Sequence, residues 1–227
     1  MELSILRKFK NKKYAYISEV FFSIQGEGPF LGLPCFFIRF AFCNLNCSFC
    51  DTKEKLNKAY KISLNKLLNL SKKYKYITIT GGEPFLQSPF LKNFIEKINK
   101  FIILETNGSI FPEKTFIKTL KRKNIALVIS PKKEICKVIK FWKMLEEDHN
   151  IKVYYKFLIF NRENIKKYIK IIKEFKLKNV YFQPVEFKNM DYINFSKKCL
   201  LSFLKEKDIK NLKVYFRPQL HKILKIK

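Results

Sequence analysis

The chain has 227 residues and a formal net charge of +28, with 47% hydrophobic and 29% charged residues. That length and apolar content suit one domain with a core that needs no disulfide staples, and exclude a disordered polycation. Lysine carries the charge: only Arg7, Arg39, Arg122, Arg162 and Arg217 are arginine. Nucleic-acid binders depend on the forked guanidinium, so the charge reads as a solvated surface with no direct nucleic-acid partner. No run reaches the ~18 apolar residues of a membrane span, and the first residues lack the apolar stretch of a secretory signal. Six cysteines in a chain of this size point to a reducing, cytoplasmic setting.

In chain order, YAYISEVFFSI reads as a strand leading into Gly26, Gly28 and Gly32, and CFFIRFAF as a second that runs directly into Cys43. Residues 53–62 read as polar and irregular. Ser63 takes the N-cap place of a helix through LNKLLNLSKKY, with Leu64, Leu67, Leu68 and Leu70 as its apolar stripe. Tyr76 to Thr80 is a buried strand ending at Gly81. The next helix has Pro89 in its first turn and Phe90, Leu91, Phe94, Ile95 and Ile98 on one face. FIILET is a strand ending at Asn107-Gly108, followed by a helix from Glu113 to Lys121 and the strand IALVIS. A mixed helical region around Trp142, the strand KVYYKFLIF and the amphipathic helix ENIKKYIKIIKEFK come next. VYFQP, a helix near Phe195 to Lys205 and the strand KVYF complete the chain.

No repeat or linker interrupts this order, so residues 1–227 read as a single domain. The alternation predicts an α/β fold of mostly parallel strands, wound open or as a partial, incomplete TIM-like barrel with outer helices. Six strands end directly at unusual residues: the cysteines, GGEP, TNG, SPK, QPVE and RPQLHK. In α/β sheets that end is the active-site rim. All six glycines fall in three short segments, at 26 to 32, 81 to 82 and 108, where a backbone must turn sharply or approach a neighbour closely.

Cys43, Cys47 and Cys50 are spaced C-x3-C-x2-C. Three thiolates on one short loop can hold three irons of a [4Fe–4S] cluster, leaving the fourth open to chelate a small molecule. Structural zinc takes four ligands, and only His149 and His221 could supplement the cysteines; a loop of thiols without metal is the remaining alternative. Cys35, Cys136 and Cys199 read as core thiols. Arg39, a rare guanidinium on the strand feeding the cysteines, suits either bidentate capture of a carboxylate or a structural ion pair. Gly81 and Gly82 expose backbone groups, and Glu83 can accept from a bound ammonium.

The cysteine spacing together with Gly81-Gly82-Glu83-Pro84 resembles the radical S-adenosylmethionine superfamily. SEVFFSIQGEGPFLGLPCFFIRFAFCNLNCSFCDT, with TGGEPFLQ, ETNGS, SPK, FQPVE and QLHK, resembles the 7-carboxy-7-deazaguanine synthase family. Phe42, where that family often has glycine, and Pro218, where small residues are usual, depart from the pattern. The resemblance implies that Ile24, Gln25, Gly26, Arg39 and Thr80 contact 6-carboxy-5,6,7,8-tetrahydropterin, Arg39 through its carboxylate. It implies cofactor contacts at Phe49, Cys50, Asp51, Gly82, Glu83, Ser130, Pro131, Lys132, Gln183, Pro184, Val185 and Glu186, and Mg²⁺ at Thr52.

The implied reaction is a radical ring contraction with loss of ammonia, in queuosine or deazapurine biosynthesis. It needs S-adenosylmethionine and a flavodoxin-type or other electron donor, and the family is expected to be homodimeric. A glycyl-radical activating enzyme shares the cysteine and GGEP motifs, but Gln25 to Gly28 and Asp51-Thr52 favour the small-molecule enzyme. A basic zinc-bearing nucleic-acid binder is separated from both by iron and sulfide analysis.

Overall fold

The structure is a computed structural model and describes residues 9–226 except Asn57, Lys123 and Lys188. One nine-stranded sheet runs through it in the order β3-β1-β2-β4-β5-β6-β7-β8-β9. The strands are β1 (Tyr14–Ile24), β2 (Pro34–Phe40), β3 (Tyr60–Ser63), β4 (Tyr76–Gly81), β5 (Phe101–Thr106), β6 (Ile125–Ile129), β7 (Val153–Ile159), β8 (Val180–Pro184) and β9 (Val214–Phe216). β1 pairs antiparallel with β2 and β3, and every neighbouring pair from β2 to β9 is parallel. From β4 onward the strands follow in sequence order, the single winding of a barrel rather than the two-way winding of an open sheet. β3 and β9 stand at opposite ends of the order, so the barrel is partial and not closed.

The helices are α1 (Lys53–Leu56), α2 (Leu64–Ser71), α3 (Ser88–Lys97), α4 (Lys114–Leu120), α5 (Ile135–His149), α6 (Arg162–Glu174), α7 (Tyr192–Leu204) and α8 (Leu220–Ile223). Their apolar faces cover the outside of the sheet. Phe90 and Phe94 of α3, Ile139 and Trp142 of α5 and Ile165 and Ile169 of α6 share one core with Ile38, Ile79, Leu104, Leu127, Phe157 and Phe182 of the strands. Burial of each such side chain contributes ~1.5–3 kcal/mol. Trp142 is fully buried and donates from Nε1 to the Gly108 carbonyl at 2.8 Å, which fixes α5 against the loop after β5.

Because side chains alternate along a strand, the other face looks into the barrel. There Cys35, Phe37, Ile103 and Val128 form a second, smaller cluster with Phe21, Phe30, Tyr76, Phe101 and Tyr154. This aromatic floor closes the lumen below the polar residues of the site.

Several local expectations need correction. Residues 53–62 are not irregular: they hold α1 and the edge strand β3, whose Tyr60 to Ser63 pair with Ile17 to Tyr14. A short polar segment has no period of its own and becomes a strand because β1 offers it a ladder. Ser63 does cap α2, accepting from the Lys66 N–H at 3.3 Å, but Leu70 is exposed and Ser71 takes the buried position one turn after Leu67. Cys136 is exposed on α5 and is not a core thiol, whereas Cys35 and Cys199 are buried. β2 ends at Phe40, two residues before Phe42.

Candidate active site

The cysteine loop leaves β2 through Phe42, whose φ of 69° lies in the left-handed region that favours glycine. The Phe42 ring packs on Phe9 and Tyr16, with centroids 5.4 and 5.9 Å away, and that packing opposes the backbone cost. Two amides of the GGEP turn lock onto this exit: Gly82 donates to the Phe40 carbonyl at 2.9 Å and Glu83 to the Phe42 carbonyl at 2.8 Å. A Cβ on Gly82 would stand 1.7 Å from the Phe42 carbonyl oxygen, so only glycine permits the contact.

Glu83 is completely buried. Its carboxylate accepts from Thr106 Oγ1 at 2.7 Å, from the Asn107 amide at 2.8 Å and from the Phe85 amide at 3.0 Å. Burial pushes its pKa up to about 7 against those donors. It ties the loop after β4 to the loop after β5 and is not among the residues that line the cavity. Asn107 passes the connection on, donating from Nδ2 to Asn44 Oδ1 at 3.0 Å beside Cys43.

An open cavity of about 260 Å³ lies at the carboxyl ends of the strands, near the lower end of small-molecule sites. It is lined by Ile24, Gln25, Gly26, Arg39, Cys43, Cys47, Phe49, Cys50, Asp51, Thr52, Thr80, Gly82, Ser130, Lys132, Gln183, Val185 and Glu186. Of the expected site residues only Glu83, Pro131 and Pro184 lie off this wall; Pro184 belongs to β8 and its carbonyl accepts from Tyr192 Oη at 3.3 Å. The three cysteines are half-buried, and burial raises the Cys43 and Cys47 thiols, at Cys47 against the pull of Lys132. Among the described residues no three His, Cys, Asp or Glu gather around one point as a single metal ion requires.

One wall of the lumen is a hydrogen-bonded row. Buried Gln25 donates from Nε2 to Glu105 Oε1 at 3.2 Å, and Thr80 Oγ1 donates to Glu105 Oε2 at 3.0 Å. Arg39 and Thr80 are register partners on β2 and β4, which puts the guanidinium beside this row.

Two strands along from Glu105, β7 carries Lys156, bonded to Glu27, whose second oxygen accepts from Gln219 Nε2 at 2.6 Å. Burial alone would raise the Glu27 pKa, but Lys156 and His221 outweigh it and hold the carboxylate well below its usual range. The C-terminal segment returns to the first glycine loop, with the Leu220 amide donating to the Gly26 carbonyl at 2.9 Å. His221 stands so close that a Cβ on Gly26 would meet its Nδ1 at 2.1 Å. Lys222 bonds Glu186 at 2.6 Å and reaches Asp51 at 3.8 Å, joining the β8 loop to the cysteine loop.

Lys132 donates to Ser130 Oγ at 3.0 Å. Burial, then repulsion from Lys156, lowers its pKa to about 8. Gln183 Oε1 is a buried acceptor that receives no hydrogen bond among the described residues.

Glu105, Lys156 and Gln219 belong to this cavity without having been singled out from sequence, as do Glu27, named only within the Gln25 to Gly28 segment, and His221, weighed only as a zinc ligand. Two carried a signal: Glu105 and Lys156 are charged residues inside the otherwise apolar runs FIILET and VYYKFLI. Gln219 had only its place in the quoted QLHK motif.

Residues 37–132 match the Radical SAM superfamily. The 7-carboxy-7-deazaguanine synthase of Clostridium acetobutylicum is 32% identical over 227 aligned residues, covering 92% of this chain and 95% of that protein. The enzymes of the same name from Thermoplasma acidophilum and Aquifex aeolicus are 42% and 44% identical over 99 and 102 residues, 41% and 43% of this chain. In those two matches the chain spans about half the relative's length, 47% in each. The crystal structure of QueE from Escherichia coli shares the fold with a TM-score of 0.65 at 21% identity, over 97% of this chain and 100% of that one. On the near full-length match, the chain belongs to the 7-carboxy-7-deazaguanine synthase family of the Radical SAM superfamily.

Proposed function

We propose that the protein converts 6-carboxy-5,6,7,8-tetrahydropterin to 7-carboxy-7-deazaguanine with loss of ammonia, as a carbon–nitrogen lyase of queuosine or deazapurine biosynthesis. One observation carries this reading: the three cysteines face the same cavity as the row Arg39, Thr80, Glu105 and Gln25. A site for an iron–sulfur cluster thus opens onto a floor that can hold a carboxylate and a ring rich in amide and amine groups.

The side chains fit the two cofactors of the superfamily. Cys43, Cys47 and Cys50 would hold three irons. Gln183 Oε1 offers an unmet acceptor in the wall beside Val185 and Glu186, suited to an amine such as that of adenine. Gly82 offers backbone, and Ser130 with Lys132 offers a hydroxyl and an ammonium. When bound and reduced, the cluster and S-adenosylmethionine would supply the radical chemistry of hydrogen-atom abstraction.

The chain's own residues bind and orient. Arg39 holds the carboxylate with a planar donor set. Glu105 accepts from ring N–H and amino groups, preset by Gln25 and Thr80. The aromatic floor excludes water below the ring. Thr52, whose Oγ1 lies 3.6 Å from Cys50 Sγ, would offer a hard hydroxyl oxygen to Mg²⁺. Resemblance alone supports a homodimer and a flavodoxin-type donor. Buried free thiols at Cys35 and Cys199 support a reducing cytoplasm.

Anaerobic reconstitution with iron and sulfide, followed by incubation with S-adenosylmethionine, a reductant and the carboxylated pterin, tests the proposal. Mass spectrometry should find the deazaguanine acid and one ammonia per turnover. Iron loading without pterin turnover would reject it.

A further inference from the structure

Lys156 is a cation set inside a barrel. Its side chain is 7% exposed, and a buried ammonium is costly unless it has a task and a partner. Its stem runs past Gly28 and Val128, and its head is bonded to Glu27. That takes one of three N–H donors. Glu27 is in turn held by Gln219, so the head is fixed at the cavity wall. Burial would strip the proton from Lys156, but Glu105 and Glu27 outweigh it and hold the pKa above the ordinary lysine value. The lumen therefore presents a fixed cation donor two strands along from a fixed carboxylate acceptor, Glu105, on the same inward face.

A 2-amino-4-oxo pyrimidine edge presents the matching order: an amino donor, a ring N–H donor and a carbonyl acceptor. Resting on the reading given under Proposed function, we propose that Lys156 is a specificity-determining residue that donates to the ring carbonyl while Glu105 accepts from the two donors beside it. The pair selects 4-oxo rings and rejects rings with an amino group at that place, where Lys156 would face a donor with a donor. A purely structural role, neutralising Glu27, would leave this choice untouched.

The test uses anaerobically reconstituted, cluster-loaded protein with S-adenosylmethionine, and compares binding of the carboxylated tetrahydropterin with its 2,4-diamino counterpart. Removing Lys156 alone would leave the Glu27 charge buried, so Glu27→Gln is compared with Glu27→Gln/Lys156→Met. The single variant should keep a preference of at least tenfold for the 4-oxo ring, and the double variant should lose tenfold or more of it at unchanged S-adenosylmethionine affinity. Glu27→Gln/Lys156→Gln, whose second amide can donate or accept, should narrow the preference similarly and serves if the first double variant fails to load iron. Equal preference with and without Lys156 overturns the inference while leaving the function standing. Failure of the unaltered protein to bind either pterin overturns both.

Discussion

Arg39 and Glu19 are register partners across the antiparallel β1–β2 ladder, and Arg39 Nε donates to Glu19 Oε1 at 2.8 Å. The ion pair and the carboxylate-binding role, alternatives in the sequence, are compatible in the structure: Glu19 grips the guanidinium through Nε on a strand that brings it to the cavity.

Arg39→Lys should therefore weaken carboxylated-pterin binding and Arg39→Ala weaken it further, by ~2–5 kcal/mol, because the planar fork and then the charge are lost. Isothermal titration checks this, with iron content and S-adenosylmethionine affinity unchanged. Undiminished pterin affinity in Arg39→Ala would reduce the residue to its ion pair.

Replacing Cys43, Cys47 or Cys50 by Ala should abolish iron loading, whereas Cys136→Ala and Cys199→Ala should load normally. Cys136 is exposed on α5, and Cys199 is buried under α7 with its thiol pushed up to about 11 by burial. Iron loss in either variant as deep as in Cys47→Ala would contradict the triad.

Glu83 should leave a pH signature on stability. Its folded pKa of about 7 exceeds the ordinary value of 4.5, so the folded state binds the extra proton between those two. Stability from this group is full below about 4.5 and falls as pH rises to about 7, by at most ~3 kcal/mol, then stays level. Glu83→Gln, which keeps the shape, should flatten this segment in denaturation midpoints at pH 5 and pH 8. An unchanged slope would mean that Glu83 is ionised throughout.

Gly82→Ala must displace the Phe42 carbonyl, 1.7 Å from the new methyl carbon, and break the Gly82 and Glu83 bonds that brace the cysteine loop. A destabilisation of ~1–3 kcal/mol or more is expected from such overpacking, with a large loss of iron. Normal loading at unchanged thermal midpoint would show that the loop does not depend on this contact.

What the sequence determined by itself is carried by short-range pattern. Phe101–Thr106 and Val180–Pro184 match their predicted bounds because a buried parallel strand is a continuous apolar run bounded by turn residues. The cysteine triad, the three glycine segments and the strand-end motifs were legible because their chemistry is written in adjacent residues. The tertiary structure decided what depends on distant partners. Tyr60–Ser63 is a strand only because β1 lies beside it. Glu83 meets its donors Thr106 and Asn107 only because the loop after β5 folds against it. Lys156 becomes a lumen cation only when Glu27, 129 residues away, meets it. Gln219 reaches Glu27 across 192 residues to complete the wall. A side chain's role is fixed by the charges and donors that folding brings around it, and local spacing holds no record of those.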